Sequence, residues 1–335
     1  MKPNAVNTVA REVVGLEYGF AVSVGGWRSW LSADTSDGLE QFRSIYSPYL
    51  AVQAAEAGSP GIRVLLADRS RPEVQFYPWH QQGSPLRSLA AGGPEWERFA
   101  AIDPEAGTFA DRILGPVPAL AETERGFEVL EPSRWPLYAF LGWVWLALNR
   151  APFVGVHAAT LAIDGKAILL VGPSGSGKST LCWALHQAGA DYFGDEFSLL
   201  SLPDYCLYPF PRMLYLRPGG ISALQISVPE SSWREVKSGD PKCAVTIPLP
   251  QRSCPHNQVH VVMMSGFARE PQVERASAGE GVRRLLRGMA FGPQSVPERI
   301  DIIAGLSEKY PCWKLTAGPP HQTAAAVLRK VLEQP

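Results

Sequence analysis

The chain has 335 residues, which at roughly 100 to 200 residues per domain predicts two domains, each able to bury a core. With 46% apolar and 19% charged residues and a net charge of −1 from 31 basic and 32 acidic side chains, the composition excludes a disordered chain and a mainly electrostatic binder of nucleic acid. The 31 glycines and 30 prolines exceed ordinary usage, predict many turns and exclude a long coiled coil.

Residues 1 to about 130 mix short apolar runs, Ile62 to Leu66 and Val74 to Tyr77 among them, with clusters of Gly, Pro and Ser. These read as strands and loops of an α+β domain, with Ala90 to Pro116 mostly loop. The amino-terminal stretch has no apolar core of signal-peptide length. Trp135 to Leu148, 14 residues, falls short of the roughly 20 that span a bilayer and predicts a buried helix instead of a membrane segment. The five cysteines (Cys182, Cys206, Cys243, Cys254, Cys312) are odd in number and form no C-x-x-C pair, which suits reduced thiols and, with the absent export signal, a cytoplasmic setting.

From residue 154 the sequence becomes specific. Val154 to Ile163 and Lys166 to Val171 are two β-capable runs separated by Asp164-Gly165, the dipeptide of type I′ hairpin turns, whose central residues both need positive φ. With that turn, paired positions sum to 329, and His157 falls opposite Gly172. A lone histidine in an apolar strand is usually a core residue; this register places it beside the next motif.

Gly172-Pro173-Ser174-Gly175-Ser176-Gly177-Lys178-Ser179 satisfies G-x-x-x-x-G-K-[ST], between the strand Ile168 to Val171 and a helical pattern over Ser179 to Ala188 that Gly189 closes. Glycines let the backbone wrap a phosphate with its N–H groups inward, and the positive helix end adds to the attraction. The motif predicts nucleotide binding by Gly172, Ser174, Gly175, Ser176, Gly177, Lys178, Ser179 and Thr180, with Lys178 reaching the β and γ phosphates and Ser179 offering its hydroxyl to magnesium.

Seventeen residues beyond Lys178 stand Asp195 and Glu196, just before an expected strand over Phe197 to Leu202. Adjacent strand residues point to opposite faces, so the pair can serve one point only if the backbone bends there. Further on, Cys254-Pro255-His256 has no second pair at zinc spacing and predicts a loop. Arg283, Arg284 and Arg287 lie on a helical stretch and read as a solvated face, with a phosphate or acidic-peptide contact as the alternative. Thr323 to Glu333 repeats apolar residues at helical spacing and predicts a packed helix.

Together these residues resemble the catalytic domain of the HPr kinase/phosphorylase family. A histidine stands fifteen residues before the first loop glycine (His157, Gly172), and an acidic pair follows the loop lysine by seventeen and eighteen residues. The segment Tyr208 to Arg217 resembles the family's proline-plus-arginine strand, and Pro311 to Leu315 its closing strand. The resemblance covers about residues 150 to 330. It implies an α/β fold with a P-loop kinase domain on a mixed sheet over 131–335, preceded by a smaller α+β domain over 1–130 that could recognise the acceptor.

The resemblance further implies that Asp195 is the general base for an accepting hydroxyl, helped by His157, and that Glu196 with Ser179 holds magnesium. Two aspartates are usual in the family, so Glu196 leaves the division between base and metal ligand open. Arg252 lies near a family arginine, but the usual P-G-R reads Pro250-Gln251-Arg252, and phosphorylase activity is not supported. Lys178, magnesium and one of Arg212, Arg217 or Arg252 would supply positive charge to the transferring oxygens.

The expected function is an ATP- and Mg2+-dependent kinase acting on a serine of a peptide or protein, a lasso-peptide precursor being one candidate by resemblance. A small-molecule hydroxyl and a non-catalytic nucleotide-binding module are the alternatives. No nucleic-acid or membrane partner is expected, and a homo-oligomer stays open. The sequence shows no L-S-G-G-Q or N-K-x-D segment of transporter ATPases or G proteins.

Overall fold

The structure is a computed structural model. It describes residues 153–210, 212–230, 233–237, 240–245, 247–250, 258–287 and 296–333, together with five strands nearer the amino terminus. Those strands are β1 (Tyr18–Val24), β2 (Trp27–Ala33), β3 (Gly61–Val64), β4 (Leu120–Thr123) and β5 (Gly126–Val129), in a sheet of order β1-β2-β3-β5-β4. The runs expected at Val74 to Tyr77, Ala90 to Pro116 and Trp135 to Leu148, the domain boundary near 130, Arg252 and the Cys254–His256 loop lie outside the described residues.

The remainder is α/β. Its principal sheet comprises β7 (Ala159–Ile163), β8 (Lys166–Val171), β9 (Asp191–Gly194), β15 (Gln258–Phe267), β16 (Gln272–Ala276) and β17 (Cys312–Ala317), in the order β16-β17-β15-β8-β7-β9. Strands β8, β15 and β17 are parallel, while β16, β7 and β9 run antiparallel to their neighbours, so the sheet is mixed. The two central strands, β8 and β15, are near-continuous apolar runs because both faces are covered. Ile168, Leu169, Leu170, Val261 and Val262 are fully buried, each contributing roughly 1.5 to 3 kcal/mol through area removed from water.

Two small antiparallel sheets flank it. One orders β11 (Leu207–Tyr208), β10 (Ser198–Ser201) and β6 (Phe153–Val156); the other orders β12 (Leu214–Leu216), β14 (Asp240–Val245) and β13 (Trp233–Lys237). Helix α1 (Lys178–Gln187) packs on β7, β8 and β9 and against both α2 (Pro218–Leu224) and α5 (Pro320–Leu332). Helix α3 (Ala278–Arg287) packs on β15 and β17 and against α4 (Val296–Lys309). Among the described residues no helix is long and apolar enough to cross a membrane.

The expected hairpin forms with its expected register: Ala159 pairs with Leu170 and Ile163 with Lys166, while Asp164 and Gly165 take φ of 49° and 73°. Helix α1 closes as the sequence predicts, with Gly189 at φ 102° and the Ala190 N–H donating to Leu185 O.

Two expected strands are broken. The run Val154 to Ile163 splits at His157-Ala158, because β6 pairs with β10 in the small sheet whereas β7 pairs with β8 and β9 in the large one. The Ser198 hydroxyl donates to Ala158 O and contacts the Thr160 hydroxyl, tying the sheets together where the chain changes from one to the other. Likewise Tyr208 to Arg217 is two short strands, β11 and β12, belonging to different sheets.

The hairpin offers a clean separation of backbone cost from packing cost. A Cβ on Gly165 would meet nothing within 4 Å, so Gly165→Ala is expected to lose about 1 kcal/mol in urea unfolding, from positive φ alone. Leu169→Ala, which empties a fully buried site, is expected to lose roughly 2 to 5 kcal/mol.

Candidate functional site

Strand direction decides what meets at one edge of the principal sheet. The carboxyl ends of parallel β8, β15 and β17 share that edge. Because β7 is antiparallel to β8, its first residue, Ala159, lies there too, with His157 just before it. Strand β9 reverses again, so its last residue, Gly194, pairs with Thr160 at the same edge and delivers Asp195 and Glu196 to it. The glycine-rich loop after β8 therefore sits between a histidine and two carboxylates on one flank and the ends of β15 and β17 on the other. Ligands of open α/β sheets bind at such carboxyl edges.

The loop is held tight. Gly175 and Gly177 take φ of 82° and 91°, the Ser176 N–H donates to Pro173 O, and the Leu181 N–H donates to Gly177 O as the first bond of α1. A Cβ on Gly172 would lie 2.8 Å from both the Met264 Cβ and the Ser176 Oγ, so the loop's first position admits no side chain without a shift. The buried Ser176 hydroxyl has no hydrogen-bond partner, a polar group awaiting one. Lys178, 7% exposed, donates through Nζ to Gly172 O at 2.7 Å and Pro173 O at 3.1 Å, which folds its ammonium into the loop. Burial lowers its pKa, against the opposing pull of Asp195 and Glu196.

The acidic pair serves one region because the backbone bends there. Gly194 has φ 159°, and Glu196, a non-glycine residue, has φ 64°. Such a conformation costs energy and persists only where the surroundings impose it. A Cβ on Gly194 would come within 3.0 Å of Phe197 O, so the bend needs glycine. Phe210 locks the far side: its N–H donates to Phe193 O, and its ring packs edge-on against Phe197 at 4.7 Å.

The two carboxylates then diverge in environment. Asp195 is 1% exposed, accepts the Ser179 hydroxyl on Oδ2 at 2.7 Å, and accepts the Glu196 N–H on Oδ1 at 3.0 Å. Burial, followed by the neighbouring Glu196 charge, pushes its pKa up. Glu196 keeps a side chain 34% exposed, lines the cavity, and accepts Arg212 Nη2 at 2.6 Å. Burial favours its neutral form, but Arg212 and Lys242 outweigh that and hold the carboxyl below its usual range. Arg212 in turn lies over the Tyr215 ring at 4.8 Å. His157 is drawn down to about 3, by burial first and then by the Lys178 ammonium, so it is a neutral imidazole at any working pH.

A cavity of about 630 Å³ runs along this edge. Of the residues expected from sequence, His157, Ser174, Gly175, Gly177, Lys178, Ser179, Thr180 and Glu196 line it. Asp195 lies beneath, reached through Ser179. Arg217 also lines it, close enough that a Cβ on Gly175 would be 3.4 Å from its Nη1, whereas Arg212 is held by Glu196. Sequence reasoning did not single out Lys242, Tyr215 or Phe267, which complete the wall. Phe267 was findable as the apolar end of a parallel strand; Lys242 carries no such signal.

Cradle and donor set fit a phosphorylated nucleotide with magnesium: a glycine-lined loop at a helix start, a lysine inside it, and a hydroxyl paired with a carboxylate one helical position on. No family model matches the chain, and no curated protein does. Among solved structures, the HPr(Ser) kinase/phosphatase from Coxiella burnetii is similar at 14% identity, over 53% of this chain and 98% of that one, with a TM-score of 0.25. At that score the likeness carries no weight about function, which rests on the side chains above.

The buried Asp195 charge sets a pH test. Its pKa is raised in the native protein, so the folded state binds that proton more tightly than the unfolded chain. Native stability therefore falls as pH rises from the ordinary carboxylate value of 3.8 through the raised native one. Asp195→Asn is expected to raise the urea midpoint in metal-free buffer at pH 7.5, and the gain should shrink towards pH 4. An equal gain at both pH values would show that the charge is not its source.

Proposed function

We propose that the chain is an ATP-dependent kinase that transfers the γ-phosphoryl group to a hydroxyl, with a serine of a peptide or protein as acceptor. The observation that carries this reading is the Ser179 hydroxyl bonded to buried Asp195, one residue after a lysine enclosed by the glycine-rich loop. A site that merely bound an anion would not require a carboxylate under that hydroxyl. The serine acceptor rests on the resemblance of His157, the loop and the acidic pair to the HPr kinase family.

Phosphoryl transfer asks little covalent work of a protein; it asks for alignment and for positive charge on the transferring oxygens. The loop N–H groups and the Lys178 ammonium would hold the β and γ phosphates, with Lys178 exchanging its two carbonyl partners for phosphate oxygens. Of the candidate arginines among the described residues, Arg217, beside Gly175, would add charge. Magnesium, when bound, would neutralise charge shared between the β and γ phosphates.

The contacts favour a division of the acidic pair opposite to the one the family resemblance implies. Asp195 is bonded to Ser179 and buried under the loop, which suits it to the metal side. Glu196 faces the cavity, fixed by Arg212, beside neutral His157, which suits it to orient the acceptor hydroxyl and accept its proton. For such a role reach comes before pKa.

Lys178→Ala is expected to abolish binding of Mg-ATP in calorimetry. Glu196→Gln should bind Mg-ATP normally but lose roughly 10² to 10⁴ in kcat with any phosphorylated acceptor, read by mass spectrometry. Asp195→Asn should instead raise the magnesium concentration needed for half-maximal rate. If Asp195→Asn lost kcat with an unchanged magnesium requirement, the original assignment of Asp195 as base would stand. Full turnover by both variants would remove both carboxylates from the mechanism, and Mg-ATP binding with no phosphorylated acceptor in the unchanged protein would favour a binding module.

A further inference from the structure

The cavity is chemically divided in a way that phosphate transfer does not by itself explain. Across the sheet edge the order is β17, β15, β8, β7, β9, so the loop after β8 stands in the middle. His157 and Glu196 lie on the β7 and β9 flank. On the other flank, two strand spacings or about 10 Å wide, lie Met264 and Phe267 from β15 and Ala317 to Pro320 from the end of β17. Phe267 is paired with Ala317 and is 67% exposed, an unusual placement for a large aromatic ring inside a charged site. It also touches the loop: a Cβ on Gly177 would lie 3.3 Å from its Cε1.

We propose that Phe267 is the stacking platform for the nucleotide's base, and that this flank holds purines of either kind without reading their edges. The proposal rests on the phosphate-binding reading above, which fixes the triphosphate at the loop. With the phosphates there and the acceptor at His157 and Glu196, two mainly apolar walls remain, the α2 segment Pro218 to Ala223 and the β15–β17 flank, and of these the second presents an exposed aromatic ring. A flat ring presented to the cavity, with proline and methionine around it, matches the π-face that every base offers.

Edge discrimination needs polar side chains with capacity to spare, and among the described residues the one polar side chain that lines this flank, Thr323, already has partners. The Thr323 hydroxyl donates to Pro319 O and accepts the Gly318 N–H. The Ala317 carbonyl accepts the Ala268 N–H. Strong rejection of a wrong base comes from site groups left unpaired by it, and these groups would not be.

The test is equilibrium binding of Mg-ATP, Mg-GTP and Mg-tripolyphosphate to the full chain, unchanged and as Phe267→Ala and Phe267→Trp. The expected result is comparable affinity for ATP and GTP in the unchanged protein. Phe267→Ala should lose roughly tenfold or more for both nucleotides while binding tripolyphosphate as before, and Phe267→Trp should restore the nucleotides. Unaltered ATP affinity in Phe267→Ala, or an equal loss of tripolyphosphate, would overturn the platform. Rejection of GTP by the unchanged protein would overturn the tolerance. Failure of the unchanged protein to bind either ATP or tripolyphosphate would overturn the phosphate-binding reading itself.

Discussion

Asp195 is a carboxylate buried beneath the glycine-rich loop with a hydroxyl and one backbone N–H as its hydrogen-bond partners, and the rest of the site is arranged around that charge. Taking a carboxylate out of water is costly unless opposite charge or hydrogen bonds compensate. Here the Lys178 ammonium is bonded to the loop carbonyls and, like the Arg212 guanidinium, acts on Asp195 only through space. On the kinase reading proposed above, a divalent cation beside Ser179 would add opposite charge to this centre.

Neighbouring charges are kept from collapsing onto that centre by being paired elsewhere. Glu196 is adjacent in sequence, yet Arg212 holds it on the cavity side, and Arg212 is itself fixed over Tyr215. Tyr192 extends the fixation, since its buried hydroxyl donates to the Arg212 carbonyl from β9, the strand that carries the acidic pair. One strand therefore sets both carboxylates and the arginine that separates them, so a shift of β9 would move metal side and acceptor side together. Burial and the surrounding cations keep His157 neutral, and it can receive or relay a hydrogen bond without adding positive charge beside Lys178.

Local chemistry was legible in the sequence where a residue type has one use. Asp164-Gly165 and the apolar runs around it predicted the hairpin and its register, and the loop motif, the following helix and its closing glycine lie where expected. The closing strand, expected from the family resemblance, and the carboxy-terminal helix, expected from hydrophobic spacing, both form. What spacing could not show was the exchange of strands between sheets. Val154 to Ile163 is apolar apart from His157 and Thr160, and its pattern does not mark a change of partner; that depends on Ser198 and β10, some forty residues later. The acidic pair was visible as a pair, but its division of environment depends on the positive φ of Glu196 and on Arg212 arriving from the connection between β11 and β12. Lys242 reaches the cavity by the same non-local route.

The break at His157 also explains why a histidine can serve a site that its own strand would otherwise bury. In an unbroken β6–β7 strand, His157 would continue the ladder opposite Gly172, with its orientation set by the pleat. By leaving one sheet for the other there, the chain releases the residue from both ladders, while Ser198 pairs with Val156 on one side of it and bonds Ala158 O and the Thr160 hydroxyl on the other. The imidazole then stands at the cavity wall beside Glu196 and Lys178. Its backbone is positioned by the pairing of β6 before it and β7 after it. A small-sheet strand that looks peripheral is in this way part of the site, because the β6–β10 pairing holds Val156, the residue before His157, in the small sheet.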